Sequence, residues 1–185
     1  MLQQLINLIR ERSGEAIINN PAIPNERNEE AVRETGSSIM HVIQGALAGG
    51  GLTSLLKLFG GRENPTESPL TKLATGGVIE NLVNKFGLNP QQAGEVAGKV
   101  VPDVMNDMVQ KTNDPGDNSF NIQDIFNEVS GGKTSGLNIQ SMLEKVKSGK
   151  FDLDGDGDTD LNDLKAILGG SGGGGLMDKV KGMFN

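Results

Sequence analysis

Residues 68–114, SPLTKLATGGVIENLVNKFGLNPQQAGEVAGKVVPDVMNDMVQKTND, decide the fold class. Ser68 followed by Pro69 is a helix start: a side-chain oxygen can take an unpaired amide, and proline suits a first turn that needs no donor. Gly87 is the matching stop. Asn89-Pro90 then opens a second helix, which must bend or restart at Pro102 because proline lacks the amide that continues the ladder. The following NDPGDNS is a turn. No part of the chain keeps up the two-residue alternation of a half-buried strand. The expected fold is therefore all-α, a bundle of six to eight short helices with a C-terminal helix-loop-helix of EF-hand type.

Upstream, Leu2, Leu5, Ile6, Leu8 and Ile9 fall on one helical stripe, and NNPAIPN at 19–25 is a turn. A helix begins at Asn25 or Asn28 as cap, has acids in its first turn, and runs to the glycines at 49–51. Its Val32, Gly36, Ile39, Ile43 and Leu47 step by three or four, and Gly36 within that stripe implies a close helix crossing. LTSLLKLF is a short helix closed by Gly60–Gly61, and RENPTES a polar loop.

Downstream the chain repeats itself. FNIQDIFNEVSGG (120–132) and LNIQSMLEKVKSG (137–149) align without gaps, and TDLNDLKAILGG (159–170) is a weaker third copy. Each supplies a capping Asn or Asp, apolar residues at helical spacing, then glycine. In the first copy Asn121 caps, while Ile122, Ile125, Phe126 and Val129 form the face to be buried. Helices this short cannot bury a face alone, so the copies are expected to pack on one another or on the main domain. GGSGGGG has the composition of a linker, and LMDKVKGMF is an amphipathic tail. The expected division is 1–132 as the main domain, 133–170 as the helix-loop-helix, and 171–185 as linker and tail.

Composition narrows the function. Aromatics are 3% of the chain, all Phe, so the core is aliphatic; Gly is 27 of 185 and clusters at segment ends. A net charge of −7 argues against nucleic acid as a partner, since gripping phosphates needs clustered Lys and Arg. There is no cysteine, hence no disulfide or thiolate site. The start, MLQQLINLIRERSGEAI, lacks a basic region, a long apolar run and a cleavage site, and no later stretch approaches a membrane span, so a soluble cytoplasmic protein is expected.

The one chemical motif is FDLDGDGDTDLNDL, 151–164. From Asp152 it matches the calcium-loop pattern D-x-[DN]-x-[DN]-G through Asp152, Asp154, Asp156 and Gly157. Gly157 permits the turn that lets Asp158 offer its backbone carbonyl. Asp160 can ligate directly or through water, and Asp163 stands at position twelve, where most EF-hands carry Glu. Asn138 to Lys147 is the helix leading in, and Asp160 to Leu168 the helix leading out. Helix capping alone would account for Asp160 and Asp163, but not for the other four. Without a counter-ion these neighbouring carboxylates repel one another. All candidate ligands are hard oxygens, which favours Ca²⁺, with Mg²⁺ as the alternative.

This loop resembles the dockerin-type calcium repeat, whose loop reads D-x-[DN]-G-D-G with Asp then Leu at the twelfth position. Dockerins carry a tandem pair and this chain one loop, so the resemblance extends to the metal ligands and not to cohesin binding. Residues 1–132, through ATGGVIENLVNKFGLNPQQAGEVAGKVVPDVMNDMVQK, resemble the small bacterial family of unknown function typified by YidB. That resemblance implies an all-α fold and no catalytic residues.

Little else points to catalysis. His41 is the single histidine and has no evident acid or Ser partner in the sequence. GGKTSG, 131–136, lacks the spacing and preceding strand of a phosphate loop and reads as a helix end and turn. The expected function is a non-enzymatic, calcium-binding structural or self-assembly protein, a homo-oligomer with room for a protein partner, its metal stabilising a C-terminal helix pair. The alternative is a membrane-surface or protein-interaction adaptor using the terminal amphipathic helices.

Overall fold

The structure is a computed structural model, described here for residues 2–149. Among these residues it is all-helical, without a strand: α1 (Leu2–Arg12), α2 (Asn28–Ala48), α3 (Leu52–Phe59), α4 (Pro69–Phe86), α5 (Pro90–Asn113), α6 (Ile122–Val129) and α7 (Ile139–Lys147). A π-helical turn at Gly14–Ile18 and a 3-10 turn at Asn25–Arg27 link α1 to α2. No helix among the described residues is long and apolar enough to cross a membrane. The chain forms two compact units. The first holds the described residues up to Ile43 with Asn64–Asn121; the second holds Gln44–Glu63 with the described residues from Ile122 on.

The first unit is organised by α4 and α5, which pack along their lengths. Ser68 accepts a hydrogen bond from the Thr71 amide at 3.0 Å with Pro69 behind it, and Gly87 ends α4 at φ +73°. That left-handed conformation is one that glycine adopts without steric cost. Asn89 and Gln92 form a reciprocal capping box at the start of α5, each side chain taking the other's amide. The caps thus fix where each apolar face begins. Leu70, Ala74, Val78, Leu82 and Phe86 of α4 are buried, as are Val96, Val100, Val101, Val104 and Met105 of α5.

Of the two courses expected at Pro102, a bend or a restart, the restart does not occur: α5 is one helix of 24 residues. The carbonyl that Pro102 leaves without a donor belongs to Gly98, four residues back, and Gly98 is exposed, so water can satisfy it. Buried Val100, Val101, Val104 and Met105 anchor the helix on both sides of the proline. The helix α2, of 21 residues, spans the stretch expected between Asn28 and the glycines at 49–51.

Leu5, Ile6, Leu8 and Ile9 of α1 are buried as the stripe requires, whereas Leu2, at its start, is 39% exposed. The crossing inferred from Gly36 is present. A Cβ at that position would lie 3.3 Å from Ile9 Cδ1 and 3.6 Å from Ile6 Cγ1. Asn28 does not cap α2 by the usual side-chain contact: its Nδ2 donates to the Ile18 carbonyl at 2.8 Å. Arg27 instead ties the start of α2 to the end of α4. It donates to both Glu30 carboxylate oxygens and to the Lys85 carbonyl, and its guanidinium lies 4.3 Å from the Phe86 ring centre.

In the second unit, α3 and α6 each pack against α7. The face of α6 is the one the repeat implies, with Ile122, Ile125, Phe126 and Val129 buried.

The α1–α2 crossing gives a direct test of packing in the first unit. Gly36→Leu should lower stability by about 1–3 kcal/mol through overpacking. Gly36→Ala should be near neutral, because a gain of about 1 kcal/mol in helix propensity offsets a small displacement of the mobile Ile9 tip. Urea denaturation of the two variants measures both; a stable leucine variant would contradict the crossing.

Candidate metal centre

The six aspartates of the sequence motif, Asp152, Asp154, Asp156, Asp158, Asp160 and Asp163, lie outside the described residues, as do the helix expected to leave the loop and the tail. The structure does describe the helix that leads in. α7 covers Ile139–Lys147, with Asn138 as its cap accepting from the Ser141 amide at 2.8 Å. The helix expected at Asn138–Lys147 is thus present with its expected cap.

Ile139, Leu143 and Val146 of α7 are buried. The end of α3 receives them closely: a Cβ on Gly60 would stand 3.2 Å from Val146 Cγ1, 3.5 Å from Leu143 Cδ1 and 2.7 Å from the Leu56 carbonyl. Glycine is required there because the approach leaves no room for a side chain. On the other side, the Ile139 amide donates to Gln123 Oε1 of α6 at 2.9 Å, so the first repeat supplies an acceptor to the first turn of the second.

The C-terminal end of α7 is held by a residue that the sequence pattern did not single out. Arg62, in the loop after α3, donates from Nε to the Val146 carbonyl at 3.0 Å and from Nη2 to the Lys147 carbonyl at 2.6 Å. The last carbonyls of a helix have no partner within it, and a guanidinium supplies two parallel donors with a charge of the favourable sign. Ser148 follows as the C-cap, and Gly149, at φ +69°, turns the chain. An arginine directly after a Gly-Gly stop is only a weak sequence signal, because its partners lie more than 80 residues away.

GGKTSG is a helix end and turn. Gly131 and Gly132 take φ +62° and +85°. Thr134 is buried, its Oγ1 donating to Asn127 Oδ1 at 2.9 Å and its amide to Ser130 Oγ at 3.1 Å. This polar network closes the turn that follows α6. A groove of about 280 Å³ beside it is lined by Leu47, Ala48, Val129 and Lys133 among others. His41 is exposed on α2.

The first unit has a charged cleft of about 300 Å³ between α1 and the end of α5. Two ion pairs lie in it: Arg12 Nε with Asp107, which is nearly buried, and Lys111 Nζ with Asp117 at 2.8 Å. The Lys111 ammonium, followed by the Ser119 hydroxyl and amide, lowers Asp117 to about 2. These contacts close the chain after α5. No group of three or more His, Asp or Glu side chains able to hold a metal occurs among the described residues.

Comparison of the chain with protein-family models, with curated proteins and with solved structures finds no match.

The Asp117 contact makes stability pH-dependent in a defined direction. Its acidity is lowered in the folded chain, so the contribution is complete above the ordinary value of 3.8 and is lost as pH falls towards about 2. Asp117→Asn should therefore flatten the fall in stability between those two values, read by urea denaturation at successive pH. An unchanged slope would show that Asp117 is not held by Lys111 in solution.

Proposed function

We propose that this chain is a non-enzymatic calcium-binding structural protein, with Asp152, Asp154, Asp156, the Asp158 carbonyl, Asp160 and Asp163 wrapping one Ca²⁺. The observation that carries the reading is the motif itself, a D-x-D-x-D-G core continued by acids at positions nine and twelve. Support comes from what precedes it. The helix required on the incoming side forms, ends at Ser148, and is buried on one face within its unit. The dockerin-type resemblance fits this placement and contributes ligands only. The YidB-like resemblance of 1–132 remains part of the proposal as a fold-level likeness.

A metal that binds only the folded loop adds its binding free energy to stability. At calcium one hundred times its dissociation constant the gain is about 2.7 kcal/mol. Its role here is to stabilise the C-terminal helix pair; Mg²⁺ is the alternative ion, since Asp in place of the bidentate Glu at position twelve narrows the preference for Ca²⁺. We further propose self-association; of the two terminal amphipathic segments, 176–184 is the one to supply the surface, because the apolar face of Leu2–Arg12 is already buried within the first unit.

Calorimetric titration of the full chain with Ca²⁺ should give one site, and thermal unfolding should shift upward relative to EDTA. Asp152→Ala with Asp156→Ala should abolish both effects while leaving the helical signal of the chelated protein unchanged. No heat and no shift at millimolar Ca²⁺ would refute the metal. A strict monomer by light scattering in both Ca²⁺ and EDTA would refute the assembly.

A further inference from the structure

We infer that the outward face of α4 is a self-complementary contact, through which two copies of this chain pair antiparallel about a two-fold axis at Gly76. This goes beyond the self-association proposed above, which draws its surface from 176–184. A lone exposed leucine is ordinary on a protein surface, but Leu73, 63% exposed, does not stand alone. Gly76, one turn on, is also exposed, and a Cβ built there would meet nothing within 4 Å. Glycine weakens the middle of a helix, and neither a positive φ nor a close neighbour within this chain calls for it at Gly76.

The residues around Gly76 are arranged symmetrically. At about 100° per residue, Lys72 and Glu80 lie roughly 40° to either side of the Gly76 line, and Leu73 and Ile79 roughly 60°. A two-fold axis through Gly76 and perpendicular to the helix brings residue 76−n of one copy onto residue 76+n of the other, since a two-fold contact uses the same patch twice. Lys72 then meets Glu80, Leu73 meets Ile79, and Pro69 at the start of α4 meets Val83, each contact occurring twice. Gly76 meets its own counterpart, where the lack of a side chain lets the two backbones approach.

Charge is what commits this face to a second copy. Lys72 and Glu80 are both exposed, and no charged residue stands three or four positions from either, the spacing at which helix charges pair. Among the described residues neither forms an ion pair. Each lacks a partner in its own chain and finds the opposite sign at the equivalent point of another. One helix pair covers less than the roughly 1,200–2,000 Å² of a standard interface, and chains of net charge −7 repel one another. The dimer is therefore weak and reversible, with a dissociation constant on the order of 10–100 μM.

Sedimentation equilibrium of the full chain in EDTA, over a concentration series reaching the millimolar range, tests the contact without involving the metal. The parent should associate. Lys72→Glu and Glu80→Lys should each weaken association about fivefold or more, because every change acts twice and sets like charges opposite. The double reversal, Lys72→Glu with Glu80→Lys, should return to within about twofold of the parent, as it restores both pairs with exchanged signs. Leu73→Glu should weaken association about tenfold or more. Gly76→Gln should do the same while keeping or raising the melting temperature, which separates the contact from folding; it also serves if Leu73→Glu does not fold.

Parental association in Lys72→Glu and Gly76→Gln overturns the inference and leaves self-association through 176–184 intact. A double reversal no better than the single changes overturns it too, since the two-fold register would be wrong. A parent that stays monomeric throughout overturns both this inference and the self-association reading. If that monomer sediments with anionic phospholipid vesicles and Leu73→Glu does not, the face belongs to a membrane surface and the inference is equally overturned.

Discussion

Each helix of this chain has one apolar face and must find another face to cover it. An isolated helix of eight or nine residues is marginal in water, and α3, α6 and α7 are all of that length. Their stability comes from burial: Phe59, Phe126, Leu55, Leu56 and Leu143 are wholly inaccessible, and each such side chain contributes about 1.5–3 kcal/mol relative to exposure. With few aromatic residues, the core relies on branched aliphatics that tolerate little misplacement. Close packing in turn favours a small residue at Gly36, where the side chains of α1 cross, and glycine at Gly60, where a Cβ would press on the Leu56 carbonyl and on the side chains of α7.

Pairing faces leaves helix ends inside each unit, where unpaired carbonyls and amides need partners. The chain meets this need in distinct ways at its two ends. N-termini are closed by local side chains, Ser68, Asn89 and Asn138. C-termini are closed by left-handed glycine at Gly87 and by distant arginines, Arg27 on Lys85 and Arg62 on Val146 and Lys147. Local caps set where a helix starts, while the arginines join elements far apart in sequence.

This division explains what could be read from the residues alone. Starts and stops at Ser68, Gly87, Asn89 and Gly60 depend on neighbours within four positions, and they stand where expected. The buried face of α6 was legible because four apolar residues at helical spacing admit one arrangement. The course at Pro102 was only half legible, since local chemistry allows a bend or a restart and the tertiary burial of Val100, Val101, Val104 and Met105 decides for one continuous helix. Leu2 shares the stripe of α1 yet stays partly exposed, because spacing gives a direction and not the extent of the partner. Arg62 was invisible for the opposite reason: its chemistry is plain, but its partners depend on how α3 and α7 meet. The ligand set of the proposed site came wholly from motif spacing, and of its surroundings the structure adds the leading helix and that helix's anchor.

The account turns on a balance of charge: six aspartates within twelve residues repel one another unless a cation is at their centre. Anomalous diffraction from crystals of the full chain grown in Ca²⁺ tests this directly. The account predicts one strong anomalous peak with oxygens of Asp152, Asp154, Asp156, Asp158 and Asp163 at about 2.3–2.6 Å, and Asp160 either in that shell or one water beyond. Well-ordered aspartate side chains directed apart, with no peak among them, would contradict it.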